Sequence, residues 1–303
     1  MAVREDGVAR SLAVHVPVLV DEVAFLLRPR GGGWVIDGTV GMGGHAEAVL
    51  QTSGEAVRLL GIDADPEALA RARARLAPYA DRVTLVHGNF RDAARIAGDH
   101  GVREARAVLL DLGVSSYQID ESGRGFTFQD DQPLDMRLDP GRGETAADLL
   151  NGLDEAELAR ILFEHGGERY ARRIARGIVR RRPLRTTGDL VAAVRASVPR
   201  AAWPKRTHVA TRTFQALRMA VNDETGALRQ TLQEIPGLLA VGGRLGVISF
   251  HSGEDRIVKR TFRALAAANF AALEPSPLTP GDDEVRANPR ARSAKLRVLE
   301  RTS

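Results

Sequence analysis

The chain has 303 residues, of which 44% are hydrophobic and 27% are charged, so we expect a globular protein large enough for two hydrophobic cores. It contains no cysteine, which excludes disulfides and thiolate metal sites, and we predict no metal site. Since it also lacks an apolar stretch of transmembrane length and a cleavable signal pattern, we expect a cytoplasmic protein with no membrane partner. A net charge of +4 is weak support for a nucleic-acid partner unless the basic residues cluster.

The first 111 residues alternate strand-like and helix-like segments. After a loose tail of 14 residues, we predict a helix at 20–27. Apolar runs predict four strands, at 34–37, 58–63, 82–87 and 107–111. Three helices are predicted between them, near 45–52, 66–77 and 91–100. The second of these three has Asp65 as its N-cap and Pro66 as its first residue. The alternation predicts a parallel sheet with helices on both faces.

The alternation stops after Asp111. Residues 113–143 are rich in Gly, Ser, Asp and Pro, and we predict a long irregular segment there, which inside a domain is usually functional. The pattern from 145 to 221 is helical, with helices predicted at 155–165, 168–182, 188–197 and 211–221. Asp154 and Glu157 have the spacing of a capping box.

The α/β pattern then returns, with a helix at 224–240, a Gly242-Gly243 turn, a strand at 244–250, a helix at 254–267 and a strand at 294–301. We therefore predict a Rossmann-like α/β fold, with a doubly wound, mostly parallel sheet and an inserted all-helical domain. Residues 1–122 and 222–303 are assigned to the sheet domain. Residues 123–221 are assigned to an inserted lid and helical domain.

A glycine-rich turn, Asp37-Gly-Thr-Val-Gly-Met-Gly-Gly-His45, joins the first strand to its helix. Glycines allow tight turns and a close approach of ligand to backbone. Asp63 follows Gly44 by 19 residues, near the spacing at which an acid reaches the ribose of a nucleoside cofactor. An acid at position 37 disfavours a phosphate and suits an amine or a sulfonium, both of which S-adenosylmethionine carries. A ligand-free turn is the alternative. The candidate cofactor-binding residues here are Asp37, Gly41, Gly43, Gly44, His45 and Asp63.

The segment Asp111-Leu-Gly-Val-Ser-Ser-Tyr-Gln118 follows the fourth strand and is the candidate reaction loop. An amine conjugated with a base ring is a poor nucleophile and needs an acceptor for its N–H. Asp111 supplies that acceptor or binds the cofactor. Ser115 and Ser116 add hydroxyls, and Tyr117 adds a stacking face. The alternative is an Asp–Ser turn that caps a helix.

Three aromatic side chains and one histidine are further candidates. Phe90 follows the third strand, where it could stack on an adenine; core packing is the alternative. Phe126 and Phe128, in Arg124-Gly-Phe-Thr-Phe, could stack a flipped base or belong to a local core. His251, in Ser249-Phe-His-Ser, could orient substrate or bind phosphate, and a structural histidine is the alternative.

Basic residues concentrate in the predicted insert. A structured RNA would meet such a surface mainly through its phosphates. A solvated arginine face is the alternative. The candidate substrate-binding residues are Tyr117 of the reaction loop and, in the insert, Arg124, Phe126, Phe128, Arg172, Arg173, Arg176, Lys205, Arg206 and Arg212.

Taken together, the motifs resemble those of the RsmH (MraW) family of bacterial methyltransferases. The resemblance covers nearly the whole chain and rests on nine segments, which begin at His15, Asp37, Asp111, Arg124, Pro133, Thr211, Ser249, Glu254 and Asn288. It implies the Rossmann-like fold of S-adenosylmethionine-dependent methyltransferases and methylation of N4 of a cytidine in the decoding (P-site) region of 16S rRNA.

The resemblance also implies particular residues and partners. The family's cofactor positions fall on Gly43, Gly44, His45, Asp63, Phe90, Asp111 and Gln118. Asp111, Ser115, Ser116 and His251 are the catalytic candidates. The partner is 16S rRNA or the small ribosomal subunit, and a homodimer is left open. The chain departs from the family at Gly253, where leucine is usual, and in a short segment at 268–287.

Two rival functions remain open from the sequence. One is an amino methyltransferase acting on DNA or on another RNA; such enzymes usually carry Asn/Asp-Pro-Pro-Tyr/Phe after the fourth strand, where this chain has Asp111-Leu-Gly-Val-Ser-Ser. The other is a non-catalytic RNA-binding protein that senses the cofactor. The sequence leaves open which group accepts the proton of the amine.

Overall fold

A computed structural model describes residues 17–29 and 31–303. The predicted tail and the residues His15 and Val16 of the first motif lie outside the described residues. In the part that is described, no helix has the length and apolar character needed to cross a bilayer.

Seven strands form one sheet in the order β3-β2-β1-β4-β5-β7-β6. Their bounds are β1 Gly33–Asp37, β2 Val57–Asp63, β3 Val83–His87, β4 Ala105–Asp111, β5 Leu239–Ser249, β6 Phe270–Ala272 and β7 Lys295–Arg301. Strand β7 runs antiparallel to both of its neighbours, β5 and β6, and the other four pairs of neighbouring strands are parallel. Strand β1 pairs with both β2 and β4, so the chain order reverses between β1 and β4. Ligands of open α/β sheets bind outside the carboxyl ends of the strands at such a reversal. The predicted doubly wound, mostly parallel sheet is confirmed.

Thirteen α-helices are found within the described residues. They are α1 Val20–Leu27, α2 Gly44–Thr52, α3 Pro66–Arg75, α4 Ala93–Asp99, α5 Ser116–Asp120, α6 Ala146–Gly152, α7 Glu155–Glu164, α8 Ala171–Val179, α9 Thr187–Ser197, α10 Thr211–Val221, α11 Glu224–Glu234, α12 Ser252–Ala266 and α13 Asp282–Ala287. The predicted N-cap of α3 is confirmed, because the Asp65 carboxylate accepts a hydrogen bond from the Glu67 N–H at 3.0 Å.

Several predicted elements differ from the structure. Gly242 and Gly243 form a bulge inside β5 rather than a turn before it: opposite them, β4 shifts register between Ala105 and Ala107, and Gly242 has a φ of 76°. The helix predicted to end at 240 ends at Glu234, because Pro236 lacks an N–H, and a 3-10 turn begins at Ile235. The segment predicted to be irregular contains the short helix α5.

Two helix starts in the insert also differ from their predictions. The predicted capping box of α7 is half formed: Asp154 accepts the N–H of Glu157 at 2.8 Å, with no return bond from the Glu157 side chain. Helix α8 begins at Ala171 rather than 168, because the Glu168 carboxylate accepts the N–H of Tyr170 in a turn before it.

The buried side chains form three clusters. Alternate residues of each strand face opposite sides of the sheet. Val35 and Leu59 therefore pack beneath α1 and α2, while Ile36 and Leu60 pack beneath α4 and α11. The third cluster is drawn from residues 134–217 and lies among the helices α6–α10. The chain thus buries two faces of a sheet and a separate helical core, and the domain boundaries at 122/123 and 221/222 stay a prediction.

Candidate active site

The turn between β1 and α2 is compact because its glycines lie against other elements. The Gly38 N–H donates to the carbonyl oxygen of Leu109 at 2.9 Å, which ties the turn to β4. A Cβ on Gly38 would lie 2.7 Å from the Leu110 side chain, and one on Gly44 would collide with the ring of Pro17. Gly43, with a φ of 83°, precedes the first residue of α2 in a conformation that favours glycine. The loop sequence is therefore required by the local geometry.

Asp63 joins the end of β2 to this turn. One carboxylate oxygen accepts the Gly41 N–H at 2.7 Å, and the other accepts the Asp65 N–H at 2.9 Å. Burial raises the pKa of Asp63 to about 6, against the effect of these two hydrogen bonds. Each carboxylate oxygen has a second lone pair, so Asp63 can still accept hydrogen bonds from a ligand.

Asp37 lies behind the turn, where it is 2% exposed. Its carboxylate accepts the Thr39 N–H at 3.1 Å. Burial raises the pKa of Asp37 to about 7; the nearby His45 opposes this rise, and Asp111 and Asp63 add to it. A cation brought to this edge would favour the ionised form of Asp37.

The contact between His45 and Asp111 lies at the reversal point of the sheet. His45 Nε2 is 3.4 Å from Asp111 Oδ2. The Asp111 N–H donates to the hydroxyl of Thr39 at 2.6 Å, which fixes the end of β4 beside the glycine turn. Both ring nitrogens of His45 and Oδ1 of Asp111 are buried without a hydrogen-bond partner among the described residues. Buried polar atoms are normally paired, so these atoms are available to a ligand.

The reaction loop continues into α5 through a capping box. Ser115 is the N-cap: its hydroxyl accepts the Gln118 N–H at 3.3 Å, and the Gln118 side-chain oxygen accepts the Ser115 N–H at 2.8 Å. The Gln118 amide also donates to the buried carboxylate of Asp65 at 2.9 Å. Ser116 is the first residue of the helix. The helix-capping alternative therefore describes Ser115 correctly, while both serines still line the cleft.

A cleft at this edge of the sheet brings most of the cofactor and reaction-loop candidates together. Of the nine predicted cofactor-binding residues, Gly41, Gly44, His45, Asp63, Phe90, Asp111 and Gln118 line it. Asp37 and Gly43 lie behind the lining. Phe90 also packs against the core beneath α4 and α11, as the core-packing alternative expects, and its stacking on an adenine stays a prediction.

His251 lies outside the lining of this cleft and caps α12. Its Nδ1 accepts the N–H groups of Gly253 and Glu254 at 3.1 and 3.3 Å, and its Nε2 is 3.1 Å from Glu254 Oε1. The two hydrogen bonds on Nδ1 are those of a structural histidine that caps a helix, whereas Nε2 is buried beside Glu254 without a hydrogen-bond partner among the described residues. A Cβ on Gly253 would lie 3.0 Å from His251 Nδ1, so the departure from leucine at this position bears on the cap itself.

Four predicted substrate residues lie away from the cleft lining. Tyr117 is 7% exposed and is covered by the Arg71 guanidinium, which lies 4.0 Å from its ring centroid. Arg124 is buried in an ion pair with Asp65. Phe126 and Phe128 pack against the helical core, and Phe128 stacks on His208 with ring centroids 4.5 Å apart. The local-core alternative therefore describes both phenylalanines, and their contact with a base stays a prediction.

The basic candidates of the insert are on its surface. Arg172, Arg173, Lys205 and Arg206 are exposed, and none lies within 4.0 Å of a described carboxylate. Arg176 pairs with Glu155 at 3.2 Å, and Arg212 donates to the carbonyl oxygen of Gly167 at 3.1 Å. Contact between these six residues and RNA stays a prediction.

Sequence reasoning missed several cleft residues. The largest omission is Glu254, which is 5% exposed and lines the cleft. Burial acts to raise its pKa, but the hydrogen bond and charge of His251 and the charge of Arg218 lower the pKa below its ordinary value. Arg218 in turn holds Glu224, also in the lining, through two contacts of 2.7 Å. In the sequence Glu254 begins one of the nine motif segments and Glu224 begins a helix. Neither position by itself predicts that the side chain lines a cleft.

Comparison with known proteins supplies the family. The MraW methylase family model matches residues 12–302. The protein named ribosomal RNA small subunit methyltransferase H from Geobacter sp. (strain M21) is 48% identical over 306 residues, which cover 95% of this chain and 98% of that protein. The protein of the same name from Heliobacterium modesticaldum is 49% identical over 307 residues, with the same coverage.

Solved structures are more distant. An rRNA methylase from Streptococcus thermophilus is 15% identical, covers 94% of both chains and gives a TM-score of 0.41. A SAM-dependent O-methyltransferase from Thermotoga maritima is 11% identical and gives a TM-score of 0.43 over 94% of this chain and 64% of that chain. The match of the family model across almost the whole sequence, together with relatives at 48–49% identity, is decisive: the chain belongs to the MraW methylase family.

Proposed function

We propose that the chain transfers a methyl group from S-adenosylmethionine to the exocyclic N4 amine of a cytidine in the decoding (P-site) region of 16S rRNA. Membership of the methylase family and the name that the relatives carry support the reaction and the class of RNA. The observation that carries the site is the contact between buried His45 and half-buried Asp111, whose buried and unpaired polar atoms lie between the glycine turn and the reaction loop.

The residues of the cleft fit this cofactor. S-adenosylmethionine carries an adenosine, an amine and a sulfonium, and it supplies an electrophilic methyl group. Asp63 lines the cleft and has free lone pairs for ribose hydroxyls. The glycine turn brings backbone to the lining without side chains at Gly41 and Gly44. Asp37, buried behind the turn, supplies negative charge toward a cationic ligand.

Asp111 would hold the amine that receives the methyl group. Its unpaired Oδ1 can accept an N–H of the amine, which favours a tetrahedral nitrogen and aims its lone pair. The Thr39 hydroxyl fixes the backbone of Asp111, and His45 Nε2 lies 3.4 Å from the Asp111 carboxylate. Ser116 adds a hydroxyl in the same lining. Phe250 and Leu112 give the cleft an apolar side, which lowers the local dielectric and strengthens these polar contacts.

The RNA would be held through its phosphates by the exposed basic residues of the insert. Four of these residues have no carboxylate partner within 4.0 Å in the described structure, so their charge is free to act on a polyanion. Methylation of rRNA would place the protein in the cytoplasm with the ribosomal subunits. Light scattering measures the molecular mass in solution, and a mass twice that of the chain would show a homodimer.

Methyl transfer from labelled cofactor tests the proposal. The acceptors are naked 16S rRNA, small ribosomal subunits and duplex DNA, and the labelled nucleoside is identified after digestion. We expect label on N4-methylcytidine from rRNA or subunits only. Label on DNA would favour the first rival function, whereas cofactor binding without transfer to any acceptor would favour the sensor.

A further inference from the structure

A short stretch of the lid is held by side chains that reach it from two directions. Arg124 Nη1 donates to the carbonyl oxygens of Arg137 and Leu138 at 3.0 and 2.9 Å. Asn222, between α10 and α11, accepts the Leu138 N–H at 2.8 Å and donates to the carbonyl oxygen of Met136 at 2.8 Å. Residues 136–138 are thus fixed through four backbone groups, and Leu138 lines the cleft.

This stretch would not keep its shape unaided. Met136 is fully buried and has a φ of 59°, in the left-handed region that a bulky side chain rarely adopts. Such a residue persists only where the surrounding structure holds it. The side-chain hydrogen bonds from Arg124 and Asn222 hold the carbonyl oxygen of Met136 and the two residues after it, and the Met136 N–H donates to the backbone carbonyl oxygen of Arg124 at 2.8 Å.

The restraint is anchored to the cofactor edge of the sheet. The Asp65 carboxylate, which is fully buried, pairs with the Arg124 guanidinium and accepts the Gln118 amide. The Asp65 N–H donates to Asp63 at 2.9 Å. A continuous chain of polar contacts therefore runs from Asp63 through Asp65 and Arg124 to Leu138.

We propose that Arg124 and Asn222 are positioning residues for the methyl transfer: they clamp residues 136–138 across the cleft and so press Leu138 against the reacting groups, with Asp65 fixing the clamp to the edge that carries Asp63. The inference rests on the proposed function, since it takes this cleft as the place of reaction. Leu138 forms an apolar wall that holds the base and cofactor in line and excludes water.

The first test replaces Arg124 with lysine. A lysine keeps the charge opposite Asp65 but lacks the planar fork that reaches Asp65 and two carbonyl oxygens at once. We expect Arg124→Lys to lower kcat on rRNA about tenfold to a hundredfold, with the affinity for S-adenosylhomocysteine changed less than about threefold. Amide hydrogen exchange at 136–138 should be faster. Arg142→Lys is the matched control, since Arg142 is an exposed arginine of the same lid, and it should leave kcat and exchange unchanged.

Two further variants decide the case if Arg124→Lys fails to fold. Asn222→Ala removes the second arm of the clamp, and Leu138→Ala removes the wall while leaving the clamp in place. We expect both to lower kcat, and only Asn222→Ala to speed exchange at Leu138. Wild-type kcat in both folded variants overturns the proposal, as does unchanged exchange in Asn222→Ala.

The activity of the wild-type protein distinguishes a failure of the proposed function from a failure of the clamp. An unmodified chain that methylates neither rRNA nor subunits contradicts the proposed reaction. Amide hydrogen exchange at residues 136–138 still tests the clamp in that case. Exchange that is equal in wild type and Arg124→Lys then refutes the clamp, and faster exchange in the variant supports it.

Discussion

At the strand ends Asp37 is buried and Asp63 and Asp111 are half-buried, whereas arginines of α8 lie on the surface of the inserted helices. Burial raises the pKa of Asp37 to about 7 and of Asp63 to about 6, so the fold disfavours the ionised form of both carboxyl groups. Arg172 and Arg173 are exposed and have no carboxylate partner within 4.0 Å among the described residues. Water already solvates these arginines.

The two regions therefore obtain their specificity in different ways. A buried, poorly solvated charge interacts strongly with one neighbour at a defined distance, so single residues matter at the cleft. An exposed charge is screened by salt, so each arginine contributes little alone. The arginines would therefore act together on a polyanion, and their exact positions would matter little. Substitutions should therefore have large individual effects at the strand ends and small additive effects on the insert.

The largest effect is expected from Asp37→Asn on stability as a function of pH. In the folded protein burial raises the pKa of Asp37 to about 7, while in the unfolded chain it is near its ordinary value of about 4. Between these values the folded state keeps a proton that the unfolded chain has lost, so the contribution of Asp37 is fully present at about pH 4 and lost as the pH rises through about 7. By about pH 8 the loss approaches roughly 4 kcal/mol.

Asparagine at position 37 does not titrate, so the variant should gain stability relative to wild type as the pH rises. Urea unfolding of both proteins at about pH 5 and about pH 8, without cofactor, measures the change. An equal difference at the two pH values would show that Asp37 is not the titrating group. Asp99→Asn, at an exposed acid on α4, is the control and should show no such trend.

Asp111→Asn should depress methyl transfer by about a hundredfold or more, because it removes the charged acceptor for the amine. Asparagine keeps the size of the side chain and the backbone bond to Thr39. Single-turnover kinetics at saturating cofactor measure the effect, and circular dichroism checks the fold. A folded variant with a rate near wild type would remove Asp111 from the reaction.

Asp63→Ala should weaken cofactor binding by about 1–3 kcal/mol, the typical cost of losing hydrogen bonds to a charged group. Titration calorimetry with S-adenosylhomocysteine measures the affinity. Asp81→Ala, an exposed acid of the same domain, should bind as wild type does. Equal affinity for wild type and Asp63→Ala would contradict the assignment of Asp63 to the ribose.

The strands and the clustering of their terminal acids followed from the sequence, for a physical reason. Hydrophobic periodicity is local, and parallel strands bring their carboxyl ends to one edge. Asp63 and Asp111 could therefore be placed together from the residue pattern alone. The bulge at Gly242 was not predicted, because a glycine pair in sequence is typical of a turn, and only the pairing with β4 decides between the two.

The partners of buried polar side chains could not be predicted from the sequence either. Arg124 pairs with Asp65 across 59 residues of chain, and this long-range contact turns an expected substrate residue into part of the protein's interior. Tyr117 lies in the predicted reaction loop, but the helix that starts at Ser116 turns its ring toward Arg71. A motif indicates that a residue matters; the direction of its side chain depends on packing that the motif does not contain.

The smallest effect per residue is expected for the arginines of the insert. We predict that replacing Arg172, Arg173 and Arg176 together with alanine weakens RNA binding at low salt and flattens the slope of log affinity against log salt. The slope should fall by about one for each phosphate that the variant no longer neutralises. Affinity for S-adenosylhomocysteine should be unchanged, because none of the three residues lines the cleft.

A charge-matched control separates a binding surface from a general loss of positive charge. Lys259, Arg260 and Arg263 are exposed on α12 of the sheet domain, so replacing them with alanine removes the same three charges elsewhere. If α8 grips RNA, its variant loses more affinity and more slope than the α12 variant at every salt concentration. Equal losses would mean that the arginines of α8 act only through net charge. The side chains of Arg172, Arg173 and Arg176 are solvated, and of these three only Arg176 has a carboxylate partner within 4.0 Å in the described structure. Replacing them should therefore change the free energy of unfolding by no more than about 0.5 kcal/mol, whichever result is obtained.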